Sequence, residues 1–254
     1  NKMSDVLEAF PRDAIWVKDP YNKEALEAMH DATPARICVG RVGPRPPVEP
    51  WLSFRWDEAL AKDAVFGVIP DDFLQKVGIN VRVQSSCEAK RDYLAHPEKG
   101  GVLLPDAEQV LVEKCKMNPK VQVFVSEGLS SLAILDNLLT LLPAILDGFK
   151  GAGLETGPTF FVDLGRVRML NDVGRVLKPE VAVMLIGERP GLVTQTSLSA
   201  YLAYKPQPGH TDAERNCISN IYSKGLNPLE AAAQIVDISK KMLEQKTSGV
   251  GLKL

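Results

Sequence analysis

The chain lacks most of the residues from which self-contained active sites are built. Its three histidines, His30, His96 and His210, are too dispersed for metal-ligand spacing. Its four cysteines, Cys38, Cys87, Cys115 and Cys217, contain no Cys-x-x-Cys pair, so neither a zinc knuckle nor a disulfide framework is indicated and reduced thiols of a cytosol fit best. A basic excess is also missing. Thirty Lys and Arg stand against 32 Asp and Glu, a formal net charge of −2, which argues against a general binder of nucleic acid or polyanions. The longest apolar stretches, around Leu138–Leu146 and Val181–Ile186, fall short of the roughly 18 residues needed to cross a bilayer. The start, Asn1-Lys2-Met3-Ser4-Asp5, has no signal-like apolar segment, so neither a membrane span nor export is expected. There is no G-x-x-x-x-G-K-[ST] phosphate loop and no G-x-S-x-G elbow. Gly151-Ala152-Gly153 with Gly157 follows a helix and precedes a strand, the reverse of the order that aims a helix N-terminus at a pyrophosphate.

What remains is an ordinary folded composition, 45% hydrophobic and 24% charged over 254 residues, enough for one large domain or two small ones at about 150 residues each. The first 119 residues read as a helical N-terminal arm and subdomain. They hold a polar helical stretch (Asn22–His30), a proline-dense segment (Pro44–Pro50) and an amphipathic run (Phe54–Val65). Helical stretches at Ser86–Leu94 and Asp106–Met117 follow.

Residues 120–254 read as an α/β domain, an open, mostly parallel sheet flanked by helices. Val121–Val125, Thr159–Val162 and Val181–Ile186 are strands apolar enough to be covered on both faces. A buried helix starts near Leu129 and is kinked or divided by Pro143. Thr211 and Glu214 fit a capping box, which predicts a helix through Arg215 and Cys217. Asn227 as N-cap and Pro228 at the first helical position predict a helix to about Gln245.

Ligands of open parallel sheets sit beyond the carboxyl ends of the strands. Three loops qualify, Ser126–Ser130, Asp163–Val167 and Gly187–Leu192. Glu188 and Arg189 are delivered at the tip of an apolar strand, either for a ligand or as a solvated ion pair. Cys217 reads as a small apolar filler rather than a nucleophile.

Three stretches go further. Leu185-Ile186-Gly187-Glu188-Arg189-Pro190-Gly191-Leu192, Thr211–Asn220 and Ser248–Lys253, with Ala35–Arg41 near the start, closely resemble the small (light) subunit of ethanolamine ammonia-lyase. The resemblance runs from about Asp31 to the C-terminus. It implies an adenosylcobalamin-dependent carbon–nitrogen lyase that turns ethanolamine into acetaldehyde and ammonia by a radical route, active only as a hetero-oligomer with the large subunit. It implies that this chain covers the corrinoid, with Val167, Glu188 and Cys217 as cofactor contacts and no catalytic residue or metal ligand of its own. None of the histidines has Asp two residues before it, so the D-x-H-x-x-G signature that gives a protein histidine to cobalt is absent. The resemblance therefore implies that the cofactor keeps its own benzimidazole. A free-standing cobalamin-binding module or chaperone is the alternative. The resemblance further implies a bacterial cytoplasm and a protein-shelled microcompartment, for which the stretch up to Pro20 is a candidate targeting segment. The proline-stiffened arm with Trp51, Phe54 and Trp56 is expected to dock on the large subunit.

Overall fold

The computed structural model describes Pro11, residues 14–33 and residues 35–254. Most of the candidate targeting stretch lies outside the described residues. The chain divides into two compact units, one of residues 1–63 with 191–194 and one of residues 64–190 with 195–254.

In the first unit, Asn22 caps helix α1 (Lys23–Asp31) through its side-chain oxygen, which accepts from the Ala25 N–H at 2.9 Å. Helix α2 (Val48–Phe66) takes up the expected amphipathic run and begins earlier than its prolines suggest. Pro50 lies in its first turn, where a missing N–H costs nothing. Only Val42–Arg45, closed by a backbone bridge, forms a tight turn in the proline-dense segment. Arg36 is paired with the buried Asp57 and stacks over the Phe54 ring at 4.6 Å.

The second unit carries a six-stranded sheet in the order β1-β3-β2-β4-β5-β6. The strands are β1 (Val81–Gln84), β2 (Val121–Ser126), β3 (Phe160–Asp163), β4 (Val181–Gly187), β5 (Leu198–Tyr204) and β6 (Arg215–Ile221). The first four in that spatial order are parallel; β5 and β6 are antiparallel additions. The expected mostly parallel α/β sheet is therefore present. Because β1 comes from before residue 120, the sheet extends across the 119/120 division.

Both faces of the sheet are covered. Every residue of β2 and β4 is buried. Val121, Val123 and Val125 face one layer, built from α6 (Ser131–Gly151) and α8 (Pro228–Gln245). Phe124, Phe160, Val162 and Met184 face the other, built from α5 (Pro105–Lys114) and α7 (Met169–Leu177). Two short helices, α3 (Asp71–Lys76) and α4 (Lys90–Ala95), lie between α2 and α5 in sequence. The period-two alternation of the strands sorts side chains into these two layers. Phe124 and Phe160 stack with ring centroids 5.3 Å apart.

Helix α6 runs unbroken through Pro143. That proline is on an exposed face, so the carbonyl it leaves unpaired is open to water. The stretch expected as a helix over Ser86–Leu94 is helical only in α4. Ser86 donates its N–H to Val102 and Gln84 its side chain to the Cys87 carbonyl, which holds the preceding residues extended.

The capping box at Thr211 and Glu214 is formed, but it caps a single 3₁₀ turn, Asp212–Glu214. The helix expected through Arg215 and Cys217 is corrected to strand β6. Arg215 is buried and held by Asp212 at 2.5 Å and Asn171 at 3.1 Å. Beyond it, the chain pairs antiparallel with the open edge of β5 and buries Ile218 and Ile221, its three-residue spacing accommodated by a register shift opposite Leu198 and Ala200. The helix expected from Pro228 to Gln245 is present with those bounds, and the Asn227 side chain accepts from the Leu229 N–H at 2.9 Å.

Phe124 is fully buried in a stacked pair, so Phe124→Ala is expected to lower unfolding stability by about 3–5 kcal/mol, read as a shift of the urea midpoint. A shift below about 1 kcal/mol would mean the pair is not part of a close-packed core.

Candidate functional site

With both faces covered, the sheet presents reactive chemistry at its ends. Three loops leave the C-terminal ends of β2, β3 and β4. The first, Glu127–Ser130, leads into α6, where Ser130 accepts from the Ala133 N–H at 3.1 Å. The second, Leu164–Arg168, leads into α7 and holds Leu164 at φ 56°. The third starts at Glu188 and carries Arg189 and Pro190.

The first and third loops interlock through two glycines. A Cβ on Gly128, at φ +56°, would lie 2.4 Å from the Gly187 carbonyl oxygen. A Cβ on Gly187 would lie 2.2 Å from that of Ser130. No larger residue fits either place, and the close approach lets the Leu129 N–H reach the Gly187 carbonyl at 3.0 Å.

These loops and β5 enclose a hollow of about 190 Å³ lined by Tyr93, Leu129, Arg166, Val167, Ile186, Gly187, Glu188, Arg189, Ser199 and Tyr201. Val167 and Glu188, two of the three residues singled out in the sequence, thus share one wall. Glu188 makes no ion pair with Arg189. Its Oε1 accepts from the Ser199 hydroxyl at 2.6 Å and from the Asn220 N–H at 2.8 Å. Its own N–H donates to the Ser197 carbonyl at 3.0 Å. The carboxylate is thereby fixed against β5 and the end of β6.

Cys217, the third residue, sits directly across from Tyr201 in the β5–β6 register. It is exposed as a residue, not a core filler. Shelter from water pushes its thiol above the ordinary range, the neighbouring Tyr201 and Ser199 side chains offset part of that, and the Glu188 charge adds to the rise. Burial likewise pushes Tyr201 up to about 12.

Tyr93, Arg166, Ser199 and Tyr201 complete the wall. The Arg166 guanidinium lies 4.0 Å from the centre of the Tyr93 ring and donates to the Tyr93 carbonyl at 3.0 Å. The buried Tyr93 hydroxyl donates to the Gly165 carbonyl at 3.3 Å, and burial raises its pKa. Of these four, Tyr201 and Ser199 had a readable signal, the Leu198–Tyr204 run of β-forming residues. Tyr93 is brought in only by tertiary packing of α4.

A second hollow of about 380 Å³ lies at the ends of β1, β3 and β2, lined by Phe66, Arg82, Gln84, Glu88, Lys90, Glu127 and Asp163 among others. Its cations are held by its own acids. Arg82 grips Asp163 through two 2.7 Å contacts and Asp71 through one of 2.5 Å, which raises the Arg82 pKa further. Val167, Glu188 and Cys217 do not line it, although Glu127, Asp163 and Leu164 come from two of the strand-end loops singled out in the sequence.

The first hollow combines aliphatic contacts from Leu129, Val167 and Ile186, a fixed acceptor carboxylate, the hydroxyls of Ser199 and Tyr201, and the side chains of Arg166 and Arg189. A family model described as ethanolamine ammonia-lyase light chain matches residues 23–253 of the 254.

Because its thiol is raised, Cys217 is expected to react slowly with iodoacetamide at pH 7.5, more slowly than free cysteine. The rate should climb about tenfold per pH unit through pH 9. Peptide mapping should find it labelled before Cys87 and Cys115, which are buried and also raised, Cys115 to about 11. Rapid labelling of Cys217 at neutral pH would contradict the sheltered geometry.

Proposed function

The chain belongs to the ethanolamine ammonia-lyase light chain family, and on that premise we propose that it is the corrinoid-covering subunit of an adenosylcobalamin-dependent lyase converting ethanolamine to acetaldehyde and ammonia. The large subunit of the hetero-oligomer is its partner. The supporting observation is that Val167 and Glu188, from two different strand-end loops, line one hollow while Cys217 stands across from Tyr201 of the same wall.

The residues fit a corrinoid. At about 190 Å³ the hollow is too small to enclose a macrocycle, so it would receive an edge of the ring and leave the rest to the partner. Val167, Leu129 and Ile186 offer aliphatic contact. The hydrogen bonds found at Glu188 both fall on Oε1, which leaves Oε2 with acceptor capacity for a side-chain amide of the ring. The sheltered Cys217 thiol and the Tyr201 hydroxyl provide a neutral, polarizable surface beside it. When bound, the cofactor supplies the radical chemistry. The part of this chain is to bind, to orient and to exclude water from one side of it.

The N-terminal arm is assigned to subunit contact. Trp51, on α2, leaves half of its surface exposed. Residence in a bacterial microcompartment is part of the same reading, supported by the family alone.

Acetaldehyde should form from ethanolamine and adenosylcobalamin only when this chain and the large subunit are mixed; turnover by the isolated chain would overturn the reading. Binding without any effect on lyase turnover would favour a free-standing module or chaperone. In the assembled enzyme, Glu188→Ala is expected to weaken cobalamin binding by about 1–3 kcal/mol, roughly five- to 150-fold, with Cys217→Ala milder. Unchanged affinity on Glu188→Ala would remove that residue from the site. Deleting residues 1–56 should abolish co-purification with the large subunit, and retained co-purification would assign the arm elsewhere.

A further inference from the structure

The most deeply buried acid at the strand ends has no part in the hollow described above. Glu127 is 6% exposed and follows directly on β2. Both of its carboxylate oxygens accept from the Leu164 N–H, at 3.0 and 3.2 Å. The Ser126 hydroxyl lies 3.3 Å from Oε2 and itself accepts from the Gly165 N–H at 3.0 Å. The Lys90 ammonium, from α4, is 3.6 Å from Oε1 and donates to the Gly128 carbonyl at 2.8 Å. One carboxylate thus ties together α4 and the loops after β2 and β3.

Its place in the topology is informative. The chain passes from β2 to its neighbour β3 through α6 on one face, then from β3 back across β2 to β4 through α7 on the other. The reversal opens a crevice between β2 and β3, where sheets of this kind receive ligands. Here Glu127 bridges the crevice, with the second hollow opening beside it. The carboxylate holds Leu164 in its left-handed conformation, three residues before Val167. Through Gly128, locked against Gly187, the same residue is connected to Glu188.

We propose that Glu127, charge-paired with Lys90, is a positioning residue: it bridges the β2–β3 crevice and fixes the spacing between the loop bearing Val167 and the loop bearing Glu188. The consequence for the corrinoid rests on the function proposed above. A preset spacing spares the ordering cost that would otherwise be charged against binding.

The charged and titratable groups facing the pair are Asp163 on β3, Arg166 on the following loop and Tyr93 on α4. Asp163 is already neutralised by Arg82. Burial pushes the Glu127 carboxyl up against the pull of Lys90, so its proton returns above the ordinary carboxylate range. Because the closed structure holds that proton more tightly than open solvent does, protonation favours it, and acidification should not open the clamp.

The test uses the assembled two-subunit enzyme, with hydroxocobalamin as a non-turnover probe titrated by its visible absorption. Glu127→Ala is expected to weaken binding about tenfold or more while the complex elutes intact. Glu127→Gln, which retains an acceptor for Leu164, should recover most of that affinity at pH 7. Wild-type affinity should hold as pH is lowered from neutrality toward the ordinary carboxylate range. Normal binding by Glu127→Ala alongside weakened binding by Glu188→Ala would overturn the clamp and leave the corrinoid reading standing. Unchanged binding in both variants would overturn the corrinoid reading. A loss in Glu127→Ala with none in Glu188→Ala would indicate general loosening and also overturn the clamp. If Glu127→Ala does not assemble, Glu127→Met, which keeps the volume and removes the acceptor for Leu164, decides, and normal hydroxocobalamin binding by that complex overturns the proposal.

Discussion

Burial of the parallel strands on both faces is the constraint from which the rest of the molecule follows. β2 and β4 contain no exposed residue, and the side chains of β3 are sealed almost as completely. A sheet so enclosed can meet a ligand only where its strands stop. The strand tips must then supply backbone turns tight enough to crowd together and side chains polar enough to face water. Gly128 and Gly187 answer the first demand, and Asp163 and Glu188 the second.

The acids at the tips are handled differently according to depth. Asp163 is gripped by Arg82, whose fork matches its two oxygens. Glu127, deeper, relies on a backbone N–H and a more distant ammonium. Glu188 needs no cation; a hydroxyl and a backbone N–H suffice because it is only partly withdrawn from solvent. An acceptor held by neutral donors retains the negative charge that an uncharged amide can meet. This is consistent with a chain whose net charge is near zero yet whose proposed ligand is large.

Much of this was legible in the sequence, and the exceptions have physical causes. The β-branched and aromatic runs at Val121, Thr159 and Val181 stood out because strands covered on both faces must be continuously apolar. The helix from Pro228 stood out because its cap, first-turn proline and acid agree. β1, four residues in which Val81 and Val83 alternate with Arg82 and Gln84, is too short and too polar for such a signal. β5 and β6 are antiparallel and mixed in character. The capping box at Thr211 was real but local: it fixes one turn and has no hold on Arg215, whose burial against Asn171 draws the chain into the sheet. For the same reason Val167 and Glu188 could be placed at strand ends from sequence, whereas the pairing of Cys217 with Tyr201 depends on a register that no local pattern encodes.

The interlocked glycines also limit how such a rim could ever change. Because each occupies the space a neighbour's β-carbon would need, the two loops cannot be lengthened, shortened or re-angled one at a time. Drift toward another guest would have to proceed through the projecting side chains, with the main-chain outline inherited intact. A library built to retune this rim would therefore leave positions 128 and 187 untouched and vary the groups that stand upon them.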